Sequence, residues 1–241
     1  MKQQIKKYMP NPLRKLYRRF LLAKEPNQEP PSVRIDLKKK FTEVYERNLF
    51  EGGDSLSGEG SDLVQTDRLR IEVPKLLKKM GVSSILDAPC GDYFWMKEVD
   101  LPVDRYHGID VVQHVVEKNS RMFSSEKVEF SCRDITKDKL PEADLIFSRD
   151  CLVHLSFADC LDAIRNYKSS GARYLLATTF TNREANVDFR GPDDFWRTLN
   201  LQLEPFNFPP PISLINEGCT EQNGEYSDKC LGLWELESIK L

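Results

Sequence analysis

The chain has 241 residues, 40% hydrophobic and 30% charged, with a net charge of −3. That length suits one well-packed α/β domain with appendages and leaves two full domains cramped. Residues 1–40 carry 12 Lys/Arg against 3 Asp/Glu and residues 41–241 carry 23 against 35, and so acidic a body argues against a broad electropositive face for nucleic acid.

The basic arm comes first. Asn11-Pro12 is a good helix opening, a capping side chain before a proline at the first helical position. Leu13, Leu16, Tyr17, Phe20 and Leu21 share one helical face, with Arg14, Lys15, Arg18 and Arg19 beside it. The run Glu29-Pro30-Pro31 ends the element as a linker. Such a helix lies on an anionic membrane surface, docks a partner, or packs on its own domain; sedimentation with acidic vesicles after deletion of residues 1–30 separates these. Four Arg/Lys interrupt Leu13 to Leu22, so no signal-peptide core is expected there. No run of about 20 apolar residues exists. The six cysteines, Cys90, Cys132, Cys151, Cys160, Cys219 and Cys230, form no Cys-x-x-C pair and no Cys/His cluster. Ordinary buried thiols in a cytoplasmic protein are expected, with neither a zinc site nor a disulfide framework.

Phe41 to Phe50 has helical apolar spacing and leads into Glu51-Gly-Gly-Asp-Ser-Leu-Ser-Gly-Glu-Gly-Ser61. A loop so rich in glycine and serine can fold its N–H groups around a carboxylate or phosphate. A mobile lid or a plain connection explains the composition as well. Leu69, Val73, Leu76, Leu77 and Met80 then form a helical stripe, expected to kink or restart at Pro74 and to stop at Gly81.

Four apolar runs follow, each ending in an acid or a polar cluster. Ile85-Leu86 ends at Asp87, Tyr106 to Ile109 at Asp110, Val128 to Cys132 leads to Asp134, and Leu145 to Phe147 leads to Arg149-Asp150. The Phe94 to Val99 and Gln113 to Phe123 stretches lie between them and read as helical. Strands alternating with helices mean βαβ units and a parallel sheet, whose ligand sits outside the carboxyl ends of the strands. Asp110 stands 23 residues after Asp87, where an acid can accept both hydroxyls of a ribose, and Asp134 follows 24 residues later, suited to the exocyclic amine of an adenine.

This arrangement resembles the class I S-adenosylmethionine-dependent methyltransferases, over about Ser84 to Thr179 and more weakly beyond. That family's first turn is usually acid-x-Gly-x-Gly-x-Gly; here it stands as Asp87-Ala-Pro89-Cys-Gly91-Asp-Tyr93, with two of the three glycines replaced. The pattern Ser-x-Ser-Gly-x-Gly-Ser (Ser55 to Ser61) and the run Arg149 to Leu155 also resemble a bacterial subgroup associated with cell-surface glycans. The resemblance implies a doubly wound, mostly parallel seven-stranded sheet of the Rossmann-like methyltransferase kind with an N-terminal helical extension, residues 1–40 preceding the domain. It implies S-adenosylmethionine as cofactor, without a metal. The cofactor contacts it implies are Asp87, Ala88, Pro89, Gly91, Asp92, Trp95, Asp110, Asp134, Ile135, Arg149, Ser57 and Gly58. A nicotinamide-dependent dehydrogenase of the same fold needs Gly-x-Gly-x-x-Gly after strand 1, and the acidic Gly91-Asp92 turn opposes a pyrophosphate.

Ser148 to Leu155 lies where the family holds methyl donor against acceptor, just before a helix opened by Ser156 with Asp159 as its capping partner. His154 is the one side chain there whose free base exists at neutral pH without tuning. It is expected to take the acceptor's proton, with Asp150 orienting it or facing the sulfonium; a helix-capping or wall role for His154 competes. Arg173 to Thr179 reads as a fifth strand, and Ile212 to Asn216 with Cys230 to Leu236 as a closing antiparallel pair. The aromatic, proline-rich stretch from Phe180 to Pro211 suits a wall for a sugar or other polar small molecule, or a cover for a sheet edge. The expected activity is O-methylation of a small molecule or surface-glycan precursor. A catalytically silent cofactor-binding or docking module of the same fold is the alternative, supported by the altered turn.

Overall fold

The computed structural model describes residues 36–51, 53–191 and 194–241; the basic amphipathic segment, with its expected membrane contact, lies outside the described residues. The strands are β1 (Ser84–Asp87), β2 (Arg105–Asp110), β3 (Val128–Cys132), β4 (Leu145–Ser148), β5 (Tyr174–Phe180), β6 (Ser213–Asn216) and β7 (Lys229–Glu235). They form one sheet in the order β3-β2-β1-β4-β5-β7-β6. The first five pair in parallel, and β7 runs antiparallel between β5 and β6. This is the doubly wound, mostly parallel sheet with a closing antiparallel pair that the sequence pattern implies.

The central strands are apolar on both faces because both are covered. Successive side chains point to opposite sides. Leu86, Ile146, Leu175 and Ala177 join one core layer with Ile164 and Tyr167 of α4 (Phe157–Ser169). Ile85, Leu145, Phe147, Tyr174 and Leu176 join the other with Leu69, Val73 and Leu77 of α2 (Leu63–Met80). Two further helices, α1 (Leu37–Glu46) and α3 (Gln113–Phe123), complete the frame. Asp36 caps α1 by accepting from the Lys39 N–H at 3.0 Å.

Two local expectations fail for physical reasons. Pro74 does not restart its helix: α2 continues across it to the left-handed cap at Gly81. Leu69, Val73, Leu76 and Leu77 are each at most 6% exposed, and this anchored face holds the helix through the one backbone bond that proline removes. The stretch Phe94 to Val99 carries only a 3₁₀ turn, Met96–Glu98, so no α-helix follows β1 and no helix N-terminus faces the sheet edge there. Aromatic packing takes the place of a crossover helix. Tyr93 sits at φ 58°, the left-handed region where the related pattern carries glycine. Its ring meets Tyr106, Phe123 and Phe130 at 5.1–5.4 Å between centroids, contacts that offset the strained backbone.

Candidate active site

The carboxyl ends of β1, β2 and β4 and the turn after β3 open on a cavity whose empty space, open solvent at its mouth included, is about 960 Å³. Asp87, Asp110 and Asp134 line it together. So do Pro89, Gly91, Asp92, Trp95, Ile135, Arg149, Asp150, His154 and Ser57. Two residues expected beside them do not line it. Ala88 is fully buried, its carbonyl accepting from the Tyr167 hydroxyl at 3.3 Å. Gly58, at φ 102°, makes the close approach that lets Phe50 pack against the loop, where an added Cβ would come within 3.1 Å of Phe50.

Local backbone geometry holds the three acids. The Asp110 carboxylate accepts from Val112 N–H at 2.9 Å and Gly91 N–H at 3.2 Å. Burial raises it to about 6 while these N–H groups pull the other way. Burial raises Asp87 to about 8, opposed by the hydrogen bond that the Tyr106 hydroxyl donates to it. Burial also disfavours charge on Asp134, but Thr136 and Lys137 outweigh it and hold the carboxyl below its ordinary value. Those contacts are Thr136 Oγ1 at 2.6 Å, Thr136 N–H at 2.9 Å and Lys137 Nζ at 2.9 Å.

The serine- and glycine-rich loop does surround a carboxylate, and the carboxylate is the protein's own. Asp92 accepts from Leu56 N–H at 2.8 Å, from Ser55 Oγ at 3.0 Å and from Ser57 Oγ at 3.1 Å. Ser57 Oγ in turn lies 2.8 Å from the Tyr45 hydroxyl of α1. The loop therefore clasps the turn after β1, and Leu37, Phe41, Tyr45 and Phe50 close over the cavity with it. Gly91, at φ 55°, sits under this clasp, where a side chain would collide with Ser57 Oγ. The apolar spacing of Phe41 to Phe50 was legible in sequence; that its rings would face a cavity was not.

On the far side of the cavity lies a buried ion cluster. Glu217, at 1% side-chain exposure, accepts from Arg149 Nε at 3.1 Å and Nη2 at 2.8 Å, and lies 3.6 Å from Lys229 Nζ. Arg149 Nη2 also donates to the Gly60 carbonyl at 2.8 Å, which ties the loop to the cluster. Asp150 accepts from Lys229 Nζ at 2.6 Å. Burial opposes its ionisation, yet Lys229 and Arg149 bring it down to about 2. Glu217 directly follows β6 and Lys229 opens β7, a signal the sequence carried without saying where it pointed.

His154 ends the 3₁₀ turn Leu152–His154 after β4. Of the two roles expected for Asp150, the orienting one is not made by a hydrogen bond to His154; its Oδ2 accepts from Lys229. The orienting group is the Phe195 carbonyl, which lies at hydrogen-bond distance from Nδ1. A carbonyl only accepts, so Nδ1 carries the hydrogen and Nε2 keeps its lone pair. The ring packs on Phe50 at 4.8 Å and edge-on to Phe41 at 6.3 Å. Burial, with Lys40 and Lys229 adding to it, lowers His154 to about 4 against the Phe195 hydrogen bond and the Asp150 charge. A backbone carbonyl from 41 positions away leaves no trace in a sequence.

Among the described residues no group of three or more His, Cys, Asp or Glu is placed to hold a metal ion, and no helix is long and apolar enough to cross a membrane. All six cysteines are free thiols, five of them buried.

No protein-family model and no curated protein matches the sequence. Solved structures do match. The N-methyltransferase NodS from Bradyrhizobium japonicum, in complex with S-adenosylhomocysteine, is 17% identical over 83% of this chain and 98% of its own, with a TM-score of 0.55. Human N-acetylserotonin methyltransferase, in complex with S-adenosylmethionine, is 15% identical over 83% of this chain but only 60% of its own, also at 0.55. The methyltransferase domain of a bacterial Hen1, CtHen1-C, is 14% identical over 72% of this chain and 98% of its own, at 0.52. Strand order and these likenesses agree: the chain has the Rossmann-like fold of the class I S-adenosylmethionine-dependent methyltransferases.

Proposed function

We propose that this chain is an S-adenosylmethionine-dependent methyltransferase acting on a hydroxyl oxygen of a neutral small molecule or glycan precursor. The observation that carries the reading is that Asp87, Asp110, Asp134 and His154, which lie far apart in the chain, line one cavity at the carboxyl edge of the sheet. The residues fit the cofactor. The Asp110 carboxylate accepts from the N–H groups of Gly91 and Val112 at 3.2 and 2.9 Å, and its two oxygens offer about four lone-pair sites, so capacity remains for ribose hydroxyls. Leu37, Val111 and Ile135 supply apolar surface for a flat base. When bound, the cofactor supplies a methyl carbon made electrophilic by its sulfonium.

The chain's own residues do the rest. The clasp of Asp92 on the serine loop and the cover of Phe41 and Phe50 exclude water and hold the reactants close, which carries most of the acceleration in such a displacement. His154 Nε2, bare and neutral, accepts the hydroxyl proton as the new C–O bond forms, worth roughly 10²–10⁴-fold. The charges around it favour a neutral acceptor. One oxygen of each of Asp150 and Glu217 is paired with Arg149 and Lys229, and a cationic amine meets the two lysine charges that lower His154.

Calorimetric titration with S-adenosylmethionine and S-adenosylhomocysteine tests the reading, and binding of neither overturns it. Candidate hydroxylated acceptors are then screened by release of S-adenosylhomocysteine. His154→Ala should bind cofactor as the parent does and lose turnover by roughly 10²–10⁴-fold. At sub-saturating cofactor the parent's rate should fall as Asp110 protonates near about 6, and the saturated rate as His154 protonates near about 4. Retained turnover in the variant removes His154 from the mechanism.

A further inference from the structure

Lys40 is the one lysine of α1 that is buried, at 9% exposure. Its ammonium donates to the Asp194 carbonyl at 2.8 Å and stands 5.0 Å from the Phe189 ring and 4.9 Å from the Phe195 ring. The segment it grips therefore includes the residue whose carbonyl holds His154 Nδ1. The same helix, through Phe41, packs edge-on against the imidazole itself. We propose that Lys40 is a positioning residue: by clamping the Asp194–Phe195 backbone from the covering helix, it keeps Nδ1 of His154 protonated and Nε2 bare.

The clamp is costly to build, which argues that it is more than filler. Burial lowers Lys40 to about 8, with the Asp194 charge opposing that and Arg197 adding to it. A desolvated ammonium over two aromatic faces recovers part of that cost through the ring quadrupoles, an interaction that strengthens as water is excluded. Methionine or leucine would fill the same volume without the desolvation. The charged groups facing Lys40 are Asp194, Asp159 and Arg197, and Arg197 lies over the Phe157 and Phe189 rings and donates to the Val153 carbonyl at 3.2 Å, beside His154. The covering helix and the base are thus linked. If α1 lifts away, the Phe195 carbonyl loses its restraint and the imidazole is freed to adopt the other tautomer, with its lone pair on the wrong nitrogen.

The proposal rests on the reading of His154 as the base, but its test needs no acceptor. The chain contains three histidines, so ¹⁵N-histidine spectra of the full-length protein can be assigned by single His107→Gln, His114→Gln and His154→Gln variants. In the parent, His154 should be almost wholly the Nδ1–H tautomer. Lys40→Met should turn that signature into a mixture of tautomers, while the His154 titration, at about 4 in the parent, loses both the lowering Lys40 charge and the raising Phe195 hydrogen bond. Lys40→Arg, which keeps the charge over the rings, should restore the parental spectrum; a helix-packing role alone predicts rescue by methionine at least as well as by arginine. Should Lys40→Met fail to fold, Phe189→Leu removes one ring from under the ammonium and should produce the same changes to a smaller degree. An unchanged tautomer in the variants overturns the clamp. Calorimetry with S-adenosylhomocysteine on the same samples reports on the cofactor reading separately, since Lys40 does not line the cavity.

Discussion

The two sides of the cavity are built in opposite ways. On the side of Asp110 and Asp134, each acid is held by a neighbour two residues along the chain, Val112 and Thr136, with Gly91 of the preceding strand's turn as a second donor to Asp110. On the side of His154, the partners come from far away: Phe195 is 41 residues from His154, Glu217 is 68 from Arg149, and Lys229 is 79 from Asp150. The first side is a set of turns that each strand end makes for itself. The second exists only once the antiparallel pair has returned and brought β7 beside β5. A local site tolerates the loss of one partner, whereas an assembled one leaves uncompensated charge behind.

The largest effect should therefore come from the assembled side. Glu217→Ala leaves two buried cations, Arg149 and Lys229, both at most 5% exposed at the side chain, to share Asp150, and should cost about 3–5 kcal/mol of stability in denaturant unfolding. A loss below about 1 kcal/mol, the level of a surface pair, would show that the cluster is wetter than its burial implies.

Next comes Asp87, which belongs to the local side yet is deeply buried. Its carboxyl is raised to about 8 by burial, so at neutral pH the folded chain holds a proton there that the unfolded chain has released. That stabilising difference is complete below about pH 4 and is lost as pH rises through about 8. Asp87→Asn, which stays neutral throughout, should gain stability relative to the parent progressively as pH rises across that window. A gain that shrinks with rising pH would reverse the sign and place a buried cation beside Asp87.

The smallest effect tests whether a local device stays local when it sits on the assembled side. Ser156 caps α4, accepting from Asp159 N–H at 3.1 Å while its hydroxyl donates to the Asp159 carboxylate at 2.7 Å. Ser156→Ala should cost about 1 kcal/mol in the same unfolding assay and leave S-adenosylhomocysteine titration unchanged. A change in that titration would mean that the loop carrying His154 reaches the cofactor side.

The contrast also explains what a reader of the amino acids alone could see. Asp87, Asp110 and Asp134 were legible because each closes an apolar run, and the 23- and 24-residue intervals match the step from one parallel strand to the next. The cap at Ser156 and the stop at Gly81 were legible for the same reason, being short-range chemistry written in adjacent letters. Pro74 misled because its effect depends on how firmly the rest of the helix is anchored, and Phe94 to Val99 because aromatic packing around Tyr93 replaced a helix. The clasp on Asp92 was half legible: the loop's appetite for a carboxylate could be read, but its choice of partner could not.

Sequence by itself determined the strand succession, the acids at the strand tips and the turn that Gly91 makes, since side-chain alternation and backbone chemistry act over a few residues. Only the tertiary structure decided which nitrogen of His154 is bare, which cations neutralise Asp150 and Glu217, and what covers the cavity. Those outcomes rest on a carbonyl, a lysine and a helix brought from distant parts of the chain, and the burial that gives them their strength does not exist until the sheet has closed.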